Sequence, residues 1–466
     1  MVTVHSSVYA LKLDNFDTIN SDNPLQYLQG DENKGWHVAR NLLKPLNHLD
    51  FLRRQENIAA KLNLHNTITP PELFDQNYHM LAEHQQGKIT TSKFLDYLSF
   101  QLKGLGDQIS PDEIRTLLQE YATVCHMEFH PSDICNLTCL GCTYGHDDLS
   151  KKPLPINYPF SFIRNITKLK PKSMVIIGGG EPTLYRDHKC RFQELVDEII
   201  ENNHKITLAL TTNGTIKPPG DWPNKFAWIR ISLDAATEAT YKKFRGKSFF
   251  YKVVENFISY LNYDTPYVGI SFLFAKSNIH EYTAVSNFIY HLVKKEKPDC
   301  LHKVNIQYRP LRQDPYNYLN PFREAITDQQ IQTAVKDIIE LADSSLEMKN
   351  FLRDQTNITA VLGGNTHPPY EFSRCFYSQT FKIIRANGDL RPCFIRVKEP
   401  DFILGNIIRD PLETIALNTL YVGARRKLNC NSLGCRQCHV NHVFEQGLAG
   451  KLQLPKSQEV RADPMF

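Results

Sequence analysis

Between about residues 122 and 315, short apolar runs alternate with amphipathic stretches. Val124–Phe129, Ser173–Ile177, Ile206–Thr211, Trp228–Leu233, Val268–Phe274 and Val304–Arg309 read as strands. Arg191–Glu201 and Phe249–Leu261, lying between them, return apolar residues at helical spacing. This rhythm predicts strand–helix–strand units and a parallel sheet with helices outside, either open or curled into a barrel. Ligand sites in such folds lie at the carboxyl ends of the strands.

The first 120 residues follow a different pattern. Thr69-Pro70-Pro71-Glu72 and Ser110-Pro111-Asp112-Glu113 each place a cap, a proline at the first helical position and a glutamate beyond. Apolar residues then recur at helical spacing, as in Ile114, Leu117, Leu118 and Tyr121. Residues 1–120 carry no chemical motif and are expected to be a helical cap over the next domain, with a partner-binding module as the alternative. The core is expected over 121–315. A helical linker over 316–369, with Gln329–Leu341 its clearest helix, follows. Residues 370–445 hold five cysteines and a β-hairpin turning at Asn387-Gly388, and 446–466 form a tail.

Composition narrows the class. The 466 residues leave room for two to four domains, with 41% hydrophobic and 22% charged residues, as in an ordinary globular protein. Basic residues number 54 against 50 acidic, a net charge of +4, too even to imply nucleic acid or a membrane surface as partner. The N-terminal stretch lacks a basic region followed by an apolar run, and no run approaches the roughly 18 apolar residues of a membrane span. A cytoplasmic location is therefore expected. Its eleven cysteines then read as metal-binding or catalytic rather than as a disulfide framework.

Three of them, Cys135, Cys139 and Cys142, follow the first strand within eight residues. Three thiolates on a short loop can each bind one iron of a [4Fe–4S] cluster and leave the fourth iron open. Zinc is the alternative, but structural zinc favours paired Cys-x-x-Cys and four protein ligands.

Cys-x-x-x-Cys-x-x-Cys after a first strand resembles the signature of the radical S-adenosylmethionine (SAM) superfamily. The resemblance implies a partial (β/α)6 barrel of the α/β class. It also implies SAM bound to the open iron and cleaved reductively to a 5′-deoxyadenosyl radical. Gly178-Gly179-Gly180-Glu181-Pro182 resembles the family's segment at the methionine amino group, with glycines for close backbone approach. Thr211-Thr-Asn213-Gly214 ends the next strand as in the family. Ser232 and Asp234 resemble the residues that approach ribose and methionine, and Arg245 the one that pairs with the methionine carboxylate. Where many members carry an adenine-packing aromatic before the third cysteine, this chain has Gly141, and Tyr144 is the nearest aromatic.

Farther on, Cys375, Cys393, Cys430, Cys435 and Cys438 resemble the C-terminal SPASM extension, or its shortened twitch form, which binds auxiliary clusters. The full pattern has seven cysteines; five imply one auxiliary [4Fe–4S] cluster on Cys375, Cys393, Cys435 and Cys438, with Cys430 spare. Four-thiolate zinc is the rival there. The resemblance further implies a reductant such as flavodoxin or ferredoxin. Its members modify peptides or dehydrogenate small sugars and aminocyclitols, and the large N-terminal region favours a ribosomally made peptide. A non-catalytic zinc scaffold is the reading from another class. Epimerisation would need a thiol outside the clusters to return a hydrogen atom, with Cys300 and Cys430 as candidates beside Cys125 and Cys190; any of these is more often a small buried hydrophobe.

Overall fold

The computed structural model describes residues 48–65, 68–140, 142, 156–311, 324–354, 372, 375–393, 399–425 and 438–450. Six strands run parallel and side by side in chain order: β1 (His126–Phe129), β2 (Ser173–Ile176), β3 (Thr207–Thr212), β4 (Phe226–Ser232), β5 (Tyr267–Phe274) and β6 (Val304–Pro310). They are the six apolar runs of the sequence. Each strand alternates between two faces. Met127, Met174, Leu208, Ile229, Val268 and Ile306 face outward into the core. The opposite face carries Glu128, Thr211, Arg230, Ser232, Gln307 and Arg309. A parallel sheet buried on both faces is normally apolar throughout. These polar positions set the inner face apart from the packed outer one.

Three further strands extend this sheet. β7 (Phe381–Ile384) runs parallel along the free edge of β1, pairing His126 with Phe381 and Phe129 with Ile384. β8 (Asp389–Arg391) returns antiparallel, and β9 (Gly405–Asn406) follows it, giving nine strands in the order β9-β8-β7-β1-β2-β3-β4-β5-β6. The Asn387-Gly388 hairpin forms as expected, with Gly388 at φ +85°. The hairpin covers the edge that β1 would otherwise leave with unpaired backbone groups.

Helices complete the layers. The N-terminal region forms α1 (Leu49–Lys61), α2 (Pro71–Gln85), α3 (Thr91–Gly104) and α4 (Pro111–Tyr121). Ser110 and Glu113 make the expected capping box on α4. Thr69 does not cap α2: Pro70 takes the cap position, and the Thr69 hydroxyl accepts the His65 amide at 3.2 Å. Around the sheet lie α5 (Phe192–Asn202), α6 (Glu238–Arg245), α7 (Phe250–Tyr260) and α8 (Tyr282–Glu296). Phe192, Leu195, Val196 and Ile199 are the buried stripe of α5, at the spacing of one helix face. Then come α9 (Asp328–Ala342), α10 (Leu346–Asp354), α11 (Leu412–Arg425) and α12 (Cys438–Leu448).

The N-terminal helices rest on the C-terminal ones. Tyr78 of α2 stacks on Tyr421 of α11 with ring centroids 5.2 Å apart, and Gln119 of α4 donates to Glu413 at 2.9 Å. Just before α1, His48 lies with its Nε2 2.7 Å from Nε2 of His126, at the start of β1. Leu98, Leu118, Met127, Ile229 and Leu420 all belong to one continuous hydrophobic core. Among the described residues no helix is long and apolar enough to cross a membrane.

Candidate active site

The chain leaving β1 enters the segment Pro131–Cys142, held at the carboxyl end of the sheet from three sides. On the first side, the amides of Gly180 and Glu181 donate to the carbonyls of Ser132 and Ile134, each at 2.7 Å. The glycines make this approach possible: a Cβ on Gly180 would lie 2.1 Å from the Ile134 oxygen, and one on Gly179 (φ +40°) 2.4 Å from Asp133 Oδ1. Pro182 then opens a short turn, Pro182–Leu184. On the second side, Asn136 exchanges hydrogen bonds with the turn after β3, donating to Thr215 at 2.8 Å and accepting from Asn213 Nδ2 at 2.8 Å. On the third, the amides of Thr138 and Leu140 donate to Arg245 and Phe244 at the end of α6, at 3.2 and 2.8 Å.

Glu181 ties the first two sides together. It is buried, and its carboxylate accepts from Thr183 at 2.6 Å, Thr212 at 2.5 Å and the Asn213 amide at 2.6 Å. Burial raises its pKa, and these bonds oppose the rise. The carboxylate is thus committed to joining the glycine turn to the end of β3.

Beyond β4, Asp234 sits in left-handed backbone at φ +56°, held by Asn278, which donates to its carbonyl at 2.8 Å. Glu281 fixes the following residues, accepting from the Ala236 amide at 2.7 Å and from Thr237 and Thr240. The Asp234 carboxylate accepts the Leu273 amide at 2.6 Å and pairs with the Arg245 guanidinium. Arg245 also donates to Cys139 Sγ at 3.3 Å. Burial disfavours the Arg245 cation, but Asp234 and Cys139 beside it outweigh burial and raise its pKa; burial raises that of Asp234 despite Arg245. Arg245 Nε is buried without a hydrogen-bond partner. Ser232 ends β4 on the inner face, opposite Ser271.

The cysteine loop fits a thiolate-bound cluster by its chemistry. Among the described residues no three His, Cys, Asp or Glu side chains stand as a ready-made cage. The Cys135 thiol is nonetheless pushed up to about 11, first by the surrounding protein and then by the charges of Glu181, Cys139 and Cys142. Three thiolates this close repel one another unless a cation lies among them. The glycine turn leaves backbone with no side chain over the same loop. These residues suit iron, which relieves that repulsion.

At the C-terminal end, Cys375 is buried, with Asn441 Nδ2 3.6 Å from its sulfur, and borders a cavity lined also by Ser378, Pro392, Leu404 and Val422. Cys393 lies two residues beyond the end of β8, after Pro392. Cys430 and Cys435 lie outside the described residues, as do Gly141 and Tyr144, and Cys438 is placed only as the first residue of α12.

The structure brings Cys135, Cys139, Cys142, Gly179, Gly180, Glu181, Pro182, Ser232, Asp234 and Arg245 to one end of the sheet. It does not bring Cys300 there. Cys300 lies in the turn Pro298–Lys303, at the end where β6 begins, with its thiol 3.5 Å from the Leu261 carbonyl. Cys125 is likewise at the starting end, buried, its thiol pushed up to about 12 by burial. Sequence reading missed Asn136, Asn278, Glu281 and Arg309. Of these only Asn136 carried a local signal, a polar residue directly after the first cysteine.

A polar-lined parallel half-barrel with a three-cysteine loop at its carboxyl end defines a radical SAM fold, and residues 129–289 match the family described as the radical SAM superfamily. More narrowly, residues 375–439 match the SPASM family, described as an iron–sulfur cluster-binding domain. The chain therefore carries a radical SAM domain followed by a SPASM domain, and such domains bind a [4Fe–4S] cluster with SAM and auxiliary iron–sulfur. The SPASM match favours iron–sulfur over zinc at the second cysteine group. No curated protein matches the chain. Among solved structures, it is similar to Streptococcus suis SuiB bound to S-adenosylmethionine, with 15% identity, TM-score 0.48, and 76% of this chain and 82% of that one covered. It is also similar to anSMEcpe with bound AdoMet, with 19% identity, TM-score 0.45, and 68% and 88% covered.

Proposed function

We propose that this chain cleaves SAM at a cluster held by Cys135, Cys139 and Cys142 and abstracts a hydrogen atom from a C–H bond of a peptide. The observation that carries the first part is the gathering of the cysteine loop, the glycine turn, Ser232 and the Asp234–Arg245 pair at one end of the sheet. When bound, the cluster supplies the electron that splits SAM into methionine and the 5′-deoxyadenosyl radical. The chain's own residues bind and orient. Arg245, kept cationic by Asp234, offers its guanidinium to the methionine carboxylate. The Gly179-Gly180 backbone and the Ser232 hydroxyl line the same space. The triply held loop fixes the backbone around Cys135 and Cys139, so their orientation is set before substrate arrives.

A peptide suits the mouth of this site. Cys135 is exposed there, and Ile134, Leu140 and Ile156 expose 36%, 40% and 39% of their surfaces. An open apolar rim accepts an extended chain better than a small polar sugar. In the second group, Cys375, Cys393, Cys435 and Cys438 are the proposed ligands of one auxiliary cluster, with Cys430 spare.

Changing Cys135, Cys139 and Cys142 together to Ala should abolish 5′-deoxyadenosine formation after anaerobic reconstitution. About four irons per chain should then remain; about eight would mean two auxiliary clusters. Continued SAM cleavage would end the assignment. Turnover of a small sugar or aminocyclitol, with no peptide modified, would end the peptide reading.

A further inference from the structure

Arg309 is a cation on the inner wall of the barrel whose gripping edge is empty among the described residues. Along β6, Val304, Ile306 and Tyr308 are buried outward, while Asn305, Gln307 and Arg309 are half-buried on the inner face. Its register partner on β5 is Leu273, the residue whose amide binds the Asp234 carboxylate. Arg309 therefore lies at the level of the Asp234–Arg245 pair, beside the proposed SAM site.

Its hydrogen bonding is one-sided. Nε donates to Gln307 Oε1 at 2.7 Å, which fixes the plane of the guanidinium. The two terminal nitrogens, the edge that grips a carboxylate through two parallel bonds, have no partner among the described residues. Nearby carboxylates do not fill that edge. Glu128 is bonded to His130 Nε2 at 2.7 Å, and Asp234 to Arg245 and the Leu273 amide. They act on Arg309 from a distance: burial lowers its pKa, and Glu128 and Asp234 offset this only in part. A half-buried guanidinium keeps only part of its hydration at that open fork, and an incoming carboxylate completes its hydrogen bonding.

We infer that Arg309, oriented by Gln307, anchors a carboxylate of the substrate, either an acidic side chain or a C-terminus. The peptide form of this inference rests on the function proposed above. The carboxylate anchor itself rests on β6 alone.

The full-length, anaerobically reconstituted chain is treated with phenylglyoxal, and modification of Arg309 is followed by mass spectrometry with and without SAM. With SAM bound, N-acetylglutamate N-methylamide or N-acetylalanine should slow modification about tenfold, as a charge-assisted pair implies. N-acetylglutamine N-methylamide should not. Protection by the first alone assigns a side chain, and by the second alone a C-terminus. Equal protection by the neutral amide, no protection by any acid, or an Arg309 that never reacts overturns the anchor. Protection by SAM alone also overturns it, since Arg309 would then belong to the SAM site. If glucuronate protects and neither peptide-like acid does, the anchor stands and the peptide reading falls.

Discussion

Single residues decide whether the cysteine loop is held in place. Gly180→Ala sets a methyl 2.1 Å from the Ile134 oxygen and 2.6 Å from the Asp133 carbonyl carbon. These neighbours are backbone and cannot turn aside. The variant should keep its far-ultraviolet circular dichroism but lose most iron from the first site, with the auxiliary iron retained; full iron content would show that the loop tolerates displacement. Asp234→Asn leaves Arg245 buried without its carboxylate. Breaking such a pair costs about 3–5 kcal/mol, which should appear as a lower urea midpoint at unchanged slope. At this scale legibility followed locality. The three cysteines and the glycine turn stand at short spacing, whereas Ser232, Asp234 and Arg245 were singled out by a family resemblance; the structure places them all at one end of the sheet. Asn278 and Glu281 were not legible, because the groups they hold lie some forty positions away.

At the scale of elements, the apolar runs foretold every strand of the half-barrel, because one face of each must meet the outer helices. The attachment of β7 to β1 left no local trace: an edge looks the same in sequence whether paired or bare. Another junction foretold by no motif is that of His48 with His126. Burial, then the charge of Lys172, lowers the His48 pKa to about 4. The folded state thus prefers neutral His48, so its stabilisation is complete above the unfolded value near 6.5 and fades as pH falls toward 4. Urea titrations across that window should lose on the order of 3 kcal/mol, and a His48→Gln variant should flatten the slope. An unchanged slope in the variant would place the sensitivity elsewhere.

Across the whole molecule, the N-terminal helices are built in rather than appended. Leu98 and Leu118 share the core with Ile229 and Leu420, and the turn after Gly104 joins two helices packed on each other. Deleting residues 1 to 110 should expose that apolar surface and yield aggregated chain with little bound iron, measured by gel filtration and iron assay. A soluble truncated core still cleaving SAM would show the helices to be dispensable. The β1–β7 pairing has a consequence in time. Its two strands lie about 250 positions apart, so at synthesis rates of about 5–20 residues per second the edge of β1 waits on the order of 10 to 50 s for its partner. Throughout that interval the cysteine loop hangs from an unfinished sheet. The holds on that loop, from Gly180 to Arg245, are already made by then, so what a ribosome stalled before β7 leaves is a sticky edge for chaperones to shield.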